Sequence, residues 1–131
     1  MARIILTLGL GLVALCASLC APAQEAPGRK ELRRTELSGA PGMIVVDSIA
    51  EYPPGQALPR HVHHGVESVY VIQGAMIQLP GKEPTLLATG TELTNLRDAP
   101  HAGFTVVGDT PLRLFTVHIV DKDKPLYDTP K

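Results

Sequence analysis

No part of this chain shows a convincing helical period, and there is neither an internal repeat nor a low-complexity segment, so helical bundles and repeat arrays are poor fits. Neither sign of charge dominates: 12 basic and 13 acidic side chains leave a net charge of −1. The basic residues are interspersed apart from Arg29-Lys30 and Arg33-Arg34, which leaves no electrostatic footprint for nucleic acid; none is expected as a partner. Only two cysteines are present, Cys16 and Cys20, and both lie near the start of the chain. A disulfide framework is therefore not expected.

The apolar run Ile4 to Leu19 falls short of the roughly 20 apolar residues that span a bilayer comfortably. It follows Arg3 and precedes the small-residue sequence Ala21-Pro22-Ala23, the order of a secretory signal peptide, so residues 1–23 are read as a signal cleaved after Ala23. An uncleaved anchor is the competing reading. Lipid attachment is disfavoured because Leu15 and Leu19, rather than small residues, precede the cysteines. The expected location is periplasmic or secreted, with no membrane association after cleavage. The mature chain of about 108 residues suffices for one small domain with a modest core.

Residues 24–42 combine Pro27-Gly28, a charged run and Gly39-Ala40-Pro41-Gly42, and are expected to form a flexible leader, with a short strand at Thr35 to Leu37. From Met43 the texture becomes β-branched. Strands are expected at Met43 to Glu51, Glu67 to Ile72, Ala75 to Leu79, Pro84 to Ala88, Thr91 to Leu96, Gly103 to Val107 and Leu112 to Val120, with glycine and proline turns between them. Short strands at this spacing predict an all-β antiparallel sandwich or barrel over residues 43–121. The last strand is apolar on both faces apart from Arg113, Thr116 and His118, which suits burial between sheets or under a second subunit, so a homodimer is expected. Residues 122–131, charged and proline-containing, are expected to be a peripheral tail.

One stretch, Gly55 to Glu67, gathers three of the five histidines and a carboxylate into seven consecutive positions. In an extended strand alternate side chains share a face, so His61 and His63 should converge while His64 points away. Gly65 is expected to permit a bend that brings Glu67 back beside the two rings, completing a nitrogen and oxygen donor set. A solvated polar loop is the plainer reading of an isolated His-x-His pair.

The context favours the metal reading. Gly55, His61, His63, Glu67 and Gly74 fall in the pattern Gly-x5-His-x-His-x3-Glu-x6-Gly, which resembles the first signature motif of the cupin superfamily. The second motif of that superfamily, Gly-x5-Pro-x-Gly-x2-His-x3-Asn, can be laid on Gly90 to Thr105. Gly90 and His101 match it, whereas Leu96, Asp98 and Thr105 replace its proline, glycine and asparagine. The resemblance implies a single-domain cupin-like antiparallel β-barrel, the double-stranded β-helix or jelly-roll type. It also implies one divalent transition metal, of Fe, Mn, Ni, Zn or Cu, held by His61, His63, Glu67 and His101.

Such a donor set leaves room for a small-molecule ligand or substrate on a metal preferring five or six positions. Two functions follow from the resemblance: a metal-dependent enzyme of the dioxygenase, isomerase or lyase class acting on a small oxygenated molecule, or a non-catalytic metal-bearing ligand-binding or sensing module. No catalytic acid or base stands out. Met76, Gln78, Phe104 and Thr105 could face a pocket, with core packing the plainer reading of Met76 and Phe104. His64 and His118 read as structural or surface residues, and Tyr70 is of the wrong parity to join Glu67.

Overall fold

A computed structural model describes residues 28–130. Its strands are β1 (Arg29–Glu36), β2 (Met43–Tyr52), β3 (Ala57–Leu58), β4 (Gly65–Gln73), β5 (Ala75–Gln78), β6 (Thr85–Leu87), β7 (Glu92–Asn95), β8 (Phe104–Val107) and β9 (Leu112–Asp121), and the described residues contain no helix. All pairings are antiparallel. A five-stranded sheet runs β1-β2-β9-β4-β7, and a four-stranded sheet runs β3-β8-β5-β6. The all-β, jelly-roll class expected from the sequence is the one observed.

Alternation builds the long strands. Ile44, Val46, Ser48, Ala50 and Tyr52 of β2 point inward, as do Leu112, Leu114, Thr116, His118 and Val120 of β9. On β4 the inward row is Gly65, Glu67, Val69 and Val71. Val71, Val106, Leu112 and Leu114 belong to one apolar cluster, while Ile44, Val46, Val120 and Leu126 form another. Along β9, Thr116 and His118 separate the residues of these two clusters, so the barrel carries a polar layer between two apolar ones.

Two glycines, Gly65 within the first motif and Gly74 at its end, are fixed by close approach. A Cβ on Gly65 would stand 2.0 Å from the Ile119 carbonyl oxygen, so this residue lets β4 lie directly on β9 rather than supplying the expected bend. A Cβ on Gly74 would meet the Leu87 carbonyl oxygen at 2.5 Å, at the point where the chain leaves the five-stranded sheet for the other.

Two segments differ from the sequence reading. Arg29–Glu36, expected within a flexible leader, is an edge strand registered on β2 from Arg29↔Ala50 to Glu36↔Ile44, with a bulge between Glu31 and Arg33. Its alternation is hidden because mostly charged side chains occupy both of its faces. The tail is not merely peripheral. Leu126 is only 5% exposed and packs with Ile44, Val46 and Val120, while Asp128 makes reciprocal backbone hydrogen bonds of 3.0 and 3.1 Å with Val62. Residues 1–23, with the expected signal, lie outside the described residues.

Candidate metal centre

The histidine segment between β3 and β4 is held by backbone hydrogen bonds to its neighbours rather than by membership of a long strand. His61 and His101 form an isolated antiparallel bridge, with N–H to carbonyl distances of 3.1 and 3.0 Å in the two directions. The Asp98 N–H donates to the His63 carbonyl at 2.9 Å. The two motif-bearing segments are thus joined directly, and His101 is placed although its motif is degenerate. Asp98 stands where the second motif has glycine and keeps the conformation that glycine favours, with φ at +56°. Aspartate is among the few other residues that tolerate this left-handed region. Leu96, at the proline position, is 62% exposed and carries no packing role there.

One donor atom each from His61, His63, Glu67 and His101 lies within 4.8 Å of all the others. The ring centroids of the three histidines are 4.4 to 4.9 Å apart. Glu67 Oε2 is 3.3 Å from His63 Nε2 and 3.4 Å from His101 Nε2. All four residues that sequence reading assembled are therefore together. His64 is not with them: its nitrogens face Asp98 Oδ1 at 2.8 Å and Asp128 Oδ2 at 3.1 Å, on the outside of the segment.

Each ring of the cluster is oriented from behind. The Nδ1 atoms of His61, His63 and His101 face the carbonyl oxygens of Pro59, Leu126 and Ala99. A carbonyl can only accept, so Nδ1 carries the proton in each neutral ring and the lone pair is left on Nε2. The buried Nε2 atoms of His63 and His101 have no hydrogen-bond partner. Buried nitrogens left open around one carboxylate oxygen fit a metal. With bonds of about 2.1 Å, neighbouring donors would be about 3.0 Å apart in an octahedron and about 3.4 Å apart in a tetrahedron, which brackets the 3.3 and 3.4 Å from Glu67 Oε2 to the His63 and His101 Nε2 atoms.

Glu67 is supported from both sides by strand register. Asn95 on β7 and His118 on β9 are its direct cross-strand neighbours. Asn95 Nδ2 donates to Glu67 Oε2 at 2.7 Å, and His118 Nε2 lies 3.1 Å from Oε1. His118 is fully buried, so the surface reading is corrected: it lies at the site, 4.6 Å from His63 between ring centroids. The sequence signal was the parity of β9, but an apolar pattern on both faces hid which side was inward. Tyr127, from the supposed tail, packs 4.8 and 4.9 Å from His61 and His63.

Burial opposes charge throughout the cluster. It raises the Glu67 pKa, but contacts with His101, His118 and His63 outweigh it and hold the carboxyl well below its ordinary range. His61 is pushed down to about 4, chiefly by burial. For His118, burial again wins over the neighbouring carboxylate and lowers the pKa. In His101 burial is outweighed by Glu67 and the Ala99 carbonyl, so its pKa is raised. Burial and the Glu67 charge push Tyr52 up to about 12.

The cluster opens onto a cavity of about 90 Å³ inside the barrel, reached by His61, Glu67 and His101 and walled by both sheets. Phe104 lines it, whereas Gln78 and Thr105 line a separate, more open groove with Arg60 and Pro80, and Met76 lines neither. Tyr70 is 46% exposed on the outer face, as its parity required.

Among the described residues, nine antiparallel strands in two facing sheets, with histidines and a glutamate directed inward, define a double-stranded β-helix protein whose donor cluster could hold a metal. The cupin domain family matches residues 48–118, and the chain belongs to that family. No curated protein matches the chain. Among solved structures, it is similar to an uncharacterized conserved protein with a double-stranded β-helix domain from Klebsiella pneumoniae subsp. pneumoniae MGH 78578, at 19% identity and a TM-score of 0.53 over 83% of this chain and 90% of that one. It is also similar to the DMSP lyase DddQ from Ruegeria pomeroyi DSS-3, at 20% identity and a TM-score of 0.51 over 66% of this chain. It spans only 44% of that lyase. The polyketide cyclase RemF from Streptomyces resistomycificus matches at 20% identity and a TM-score of 0.50, over 79% of this chain and 73% of that one. These likenesses show the shared fold.

Proposed function

We propose that the protein holds one divalent transition metal at His61, His63, Glu67 and His101 and uses it to bind and transform a small oxygenated molecule. The observation that carries this reading is the pair of buried, unpartnered Nε2 atoms on His63 and His101 beside Glu67 Oε2. Three imidazoles and a carboxylate suit iron, manganese, nickel, zinc or copper. When bound, such an ion supplies Lewis acidity toward an oxygen-bearing ligand. The Pro59, Leu126 and Ala99 carbonyls keep the Nε2 lone pairs aimed, Asn95 fixes the carboxylate, and the apolar walls of the cavity limit water.

The reaction class is that of a lyase, isomerase or dioxygenase. The names of the lyase and the cyclase that share the fold support small-molecule chemistry in such a barrel. A second reading, binding or sensing without turnover, is favoured by one observation. Besides the proposed donors, the ionisable groups lining the cavity are Tyr52 and Tyr127, and Tyr52, pushed up to about 12, is a hydrogen-bond donor rather than a base. Elemental analysis of purified protein tests the metal. Incubating metal-loaded protein with a panel of small hydroxy- and oxo-acids, followed by mass spectrometry for altered products, separates the two readings. Products that appear only with the metal support turnover; stable binding without any product supports the second.

Export and dimerisation complete the proposal. The order of Arg3, the apolar run and Ala21-Pro22-Ala23 supports a mature terminus at Gln24 in the periplasm or outside the cell. Mass spectrometry of the protein from its own host checks this, and an intact Met1 terminus in the membrane fraction contradicts it. For the dimer, support comes from cross-strand rows Val45–Ile119–Val66 and Ile49–Phe115–Tyr70 on the outer face of the larger sheet.

A further inference from the structure

The cavity beside the donor cluster is selective in its lining. Its wall is largely aliphatic and aromatic, with Leu58, Val69, Leu87, Leu93, Phe104 and Leu114 among the contributors, and among the described residues no lining side chain is a lysine or arginine. A phosphate or second carboxylate would find no lysine or arginine on the described wall to pair with directly, and burying an unpaired charge is costly. Size restricts it further. A cavity of about 150 Å³ accepts benzene, so one of about 90 Å³ restricts the ligand to a compact molecule.

Besides the proposed donors, Tyr52, Asn95, Tyr127 and Thr116 bring polar groups to this wall, and Thr116 is the one that stands on β9 next to the Glu67–His118 pair. Thr116 is 2% exposed, lines the cavity, and its buried Oγ1 has no hydrogen-bond partner. It lies two residues before His118 on β9, directly across from Val69 on β4, and thus one inward position along the strands from the Glu67–His118 pair. A buried hydroxyl without a partner costs stability unless something enters to meet it.

From these features we infer the ligand class of the site: a compact molecule with at most one negative charge, an oxygen head toward His61, Glu67 and His101, and a short apolar body ending in a second hydrogen-bonding group that meets Thr116 Oγ1. This rests on the metal reading and narrows it. Dicarboxylates, phosphorylated sugars and nucleotides fall outside the class. Thr116 is the residue that sets specificity at the far end of the molecule.

The test is calorimetric titration of full-length mature protein whose metal content has first been measured, using butyrate, 3-hydroxypropionate and succinate as probes. The first two are nearly isosteric and differ only in a terminal methyl against a hydroxyl. 3-Hydroxypropionate should bind about three- to tenfold more tightly than butyrate, the range expected of one added hydrogen bond. Succinate should bind at least tenfold more weakly than 3-hydroxypropionate. Thr116→Val, close in shape, should erase the preference for the hydroxyl while keeping the metal, and Thr116→Ser should restore it. Metal-loaded protein that binds succinate as well as 3-hydroxypropionate, that binds none of the three, or whose Thr116→Val variant keeps the hydroxyl preference overturns the inference and leaves the metal reading standing. Failure to take up metal at all is a separate result and overturns the metal reading.

Discussion

Glu67 has four polar side-chain partners at the site, and its two oxygens are divided between them. Oε2 faces His63, His101 and Asn95, while Oε1 faces His118. Residues that steer a ligand from behind typically matter by about 10- to 100-fold in metal affinity. Asn95→Ala and His118→Ala should therefore weaken binding by that range in chelator competition, while each still takes up close to one equivalent at saturating metal. Acid should release the metal in a defined window. His101 has a raised pKa in the metal-free protein and must lose its proton before Nε2 can bind, so affinity should begin to fall above pH 6.5 as pH is lowered. His61, pushed down to about 4, stays neutral through this range. Its lowered value has the opposite consequence for the metal-free fold from that of His101. The unfolded chain takes the His61 proton first, so this contribution to stability is lost as pH falls from 6.5 to about 4, whereas the His101 contribution is present below 6.5 and is lost as pH rises through its raised value. Thermal melts in chelator across pH 4 to 8 check both signs. His61, His63 and Glu67 were legible in the sequence because they lie within one short segment. His118 and Asn95 were not, since their places beside Glu67 come from the register of β9 and β7 against β4, which no local pattern records.

At the scale of elements, the site depends on close contacts that a single methyl group disturbs. Gly65→Ala would set a Cβ 2.0 Å from the Ile119 oxygen, a backbone atom that cannot swing aside. Forcing one carbon into a packed interior commonly costs about 1–3 kcal/mol, and this contact should reach the upper end or exceed it in urea melts. The C-terminal segment makes a similar contribution from the other side. Leu126→Ala should cost about 2–3 kcal/mol through lost burial and the cavity it leaves, and deletion of residues 125–131 should also weaken metal binding because the carbonyl behind His63 Nδ1 goes with it. A deletion that leaves both melting temperature and metal affinity unchanged would show that this segment is peripheral after all. Strands β2 and β4 to β9 were readable from β-branched runs between glycine and proline turns, whereas the two-residue β3 was too short to leave a pattern. β1 and the tail were not, because each is charged and poor in apolar residues, and each gains its order from the strand or segment it pairs with.

For the whole molecule, the outer rows of the larger sheet should make a dimer the dominant species at micromolar concentration, with about twice the chain mass in light scattering. Phe115→Lys, at the centre of one row, should shift the mass toward the monomer; a wild-type chain that is strictly monomeric across that range would contradict the association. The family was legible in the first motif, where all five marked residues are present, and the uncertain second motif is accounted for by the His61–His101 bridge and the left-handed Asp98. Everything proposed about function rests on one ion per chain. The most direct measurement is therefore elemental analysis of the purified wild type beside His101→Ala and His64→Ala, each confirmed folded by circular dichroism. The account predicts close to one equivalent of a divalent transition metal in the wild type and in His64→Ala, with most of it lost from His101→Ala. Full metal in His101→Ala together with loss in His64→Ala, or no metal in a folded wild type supplied with it, would contradict the account.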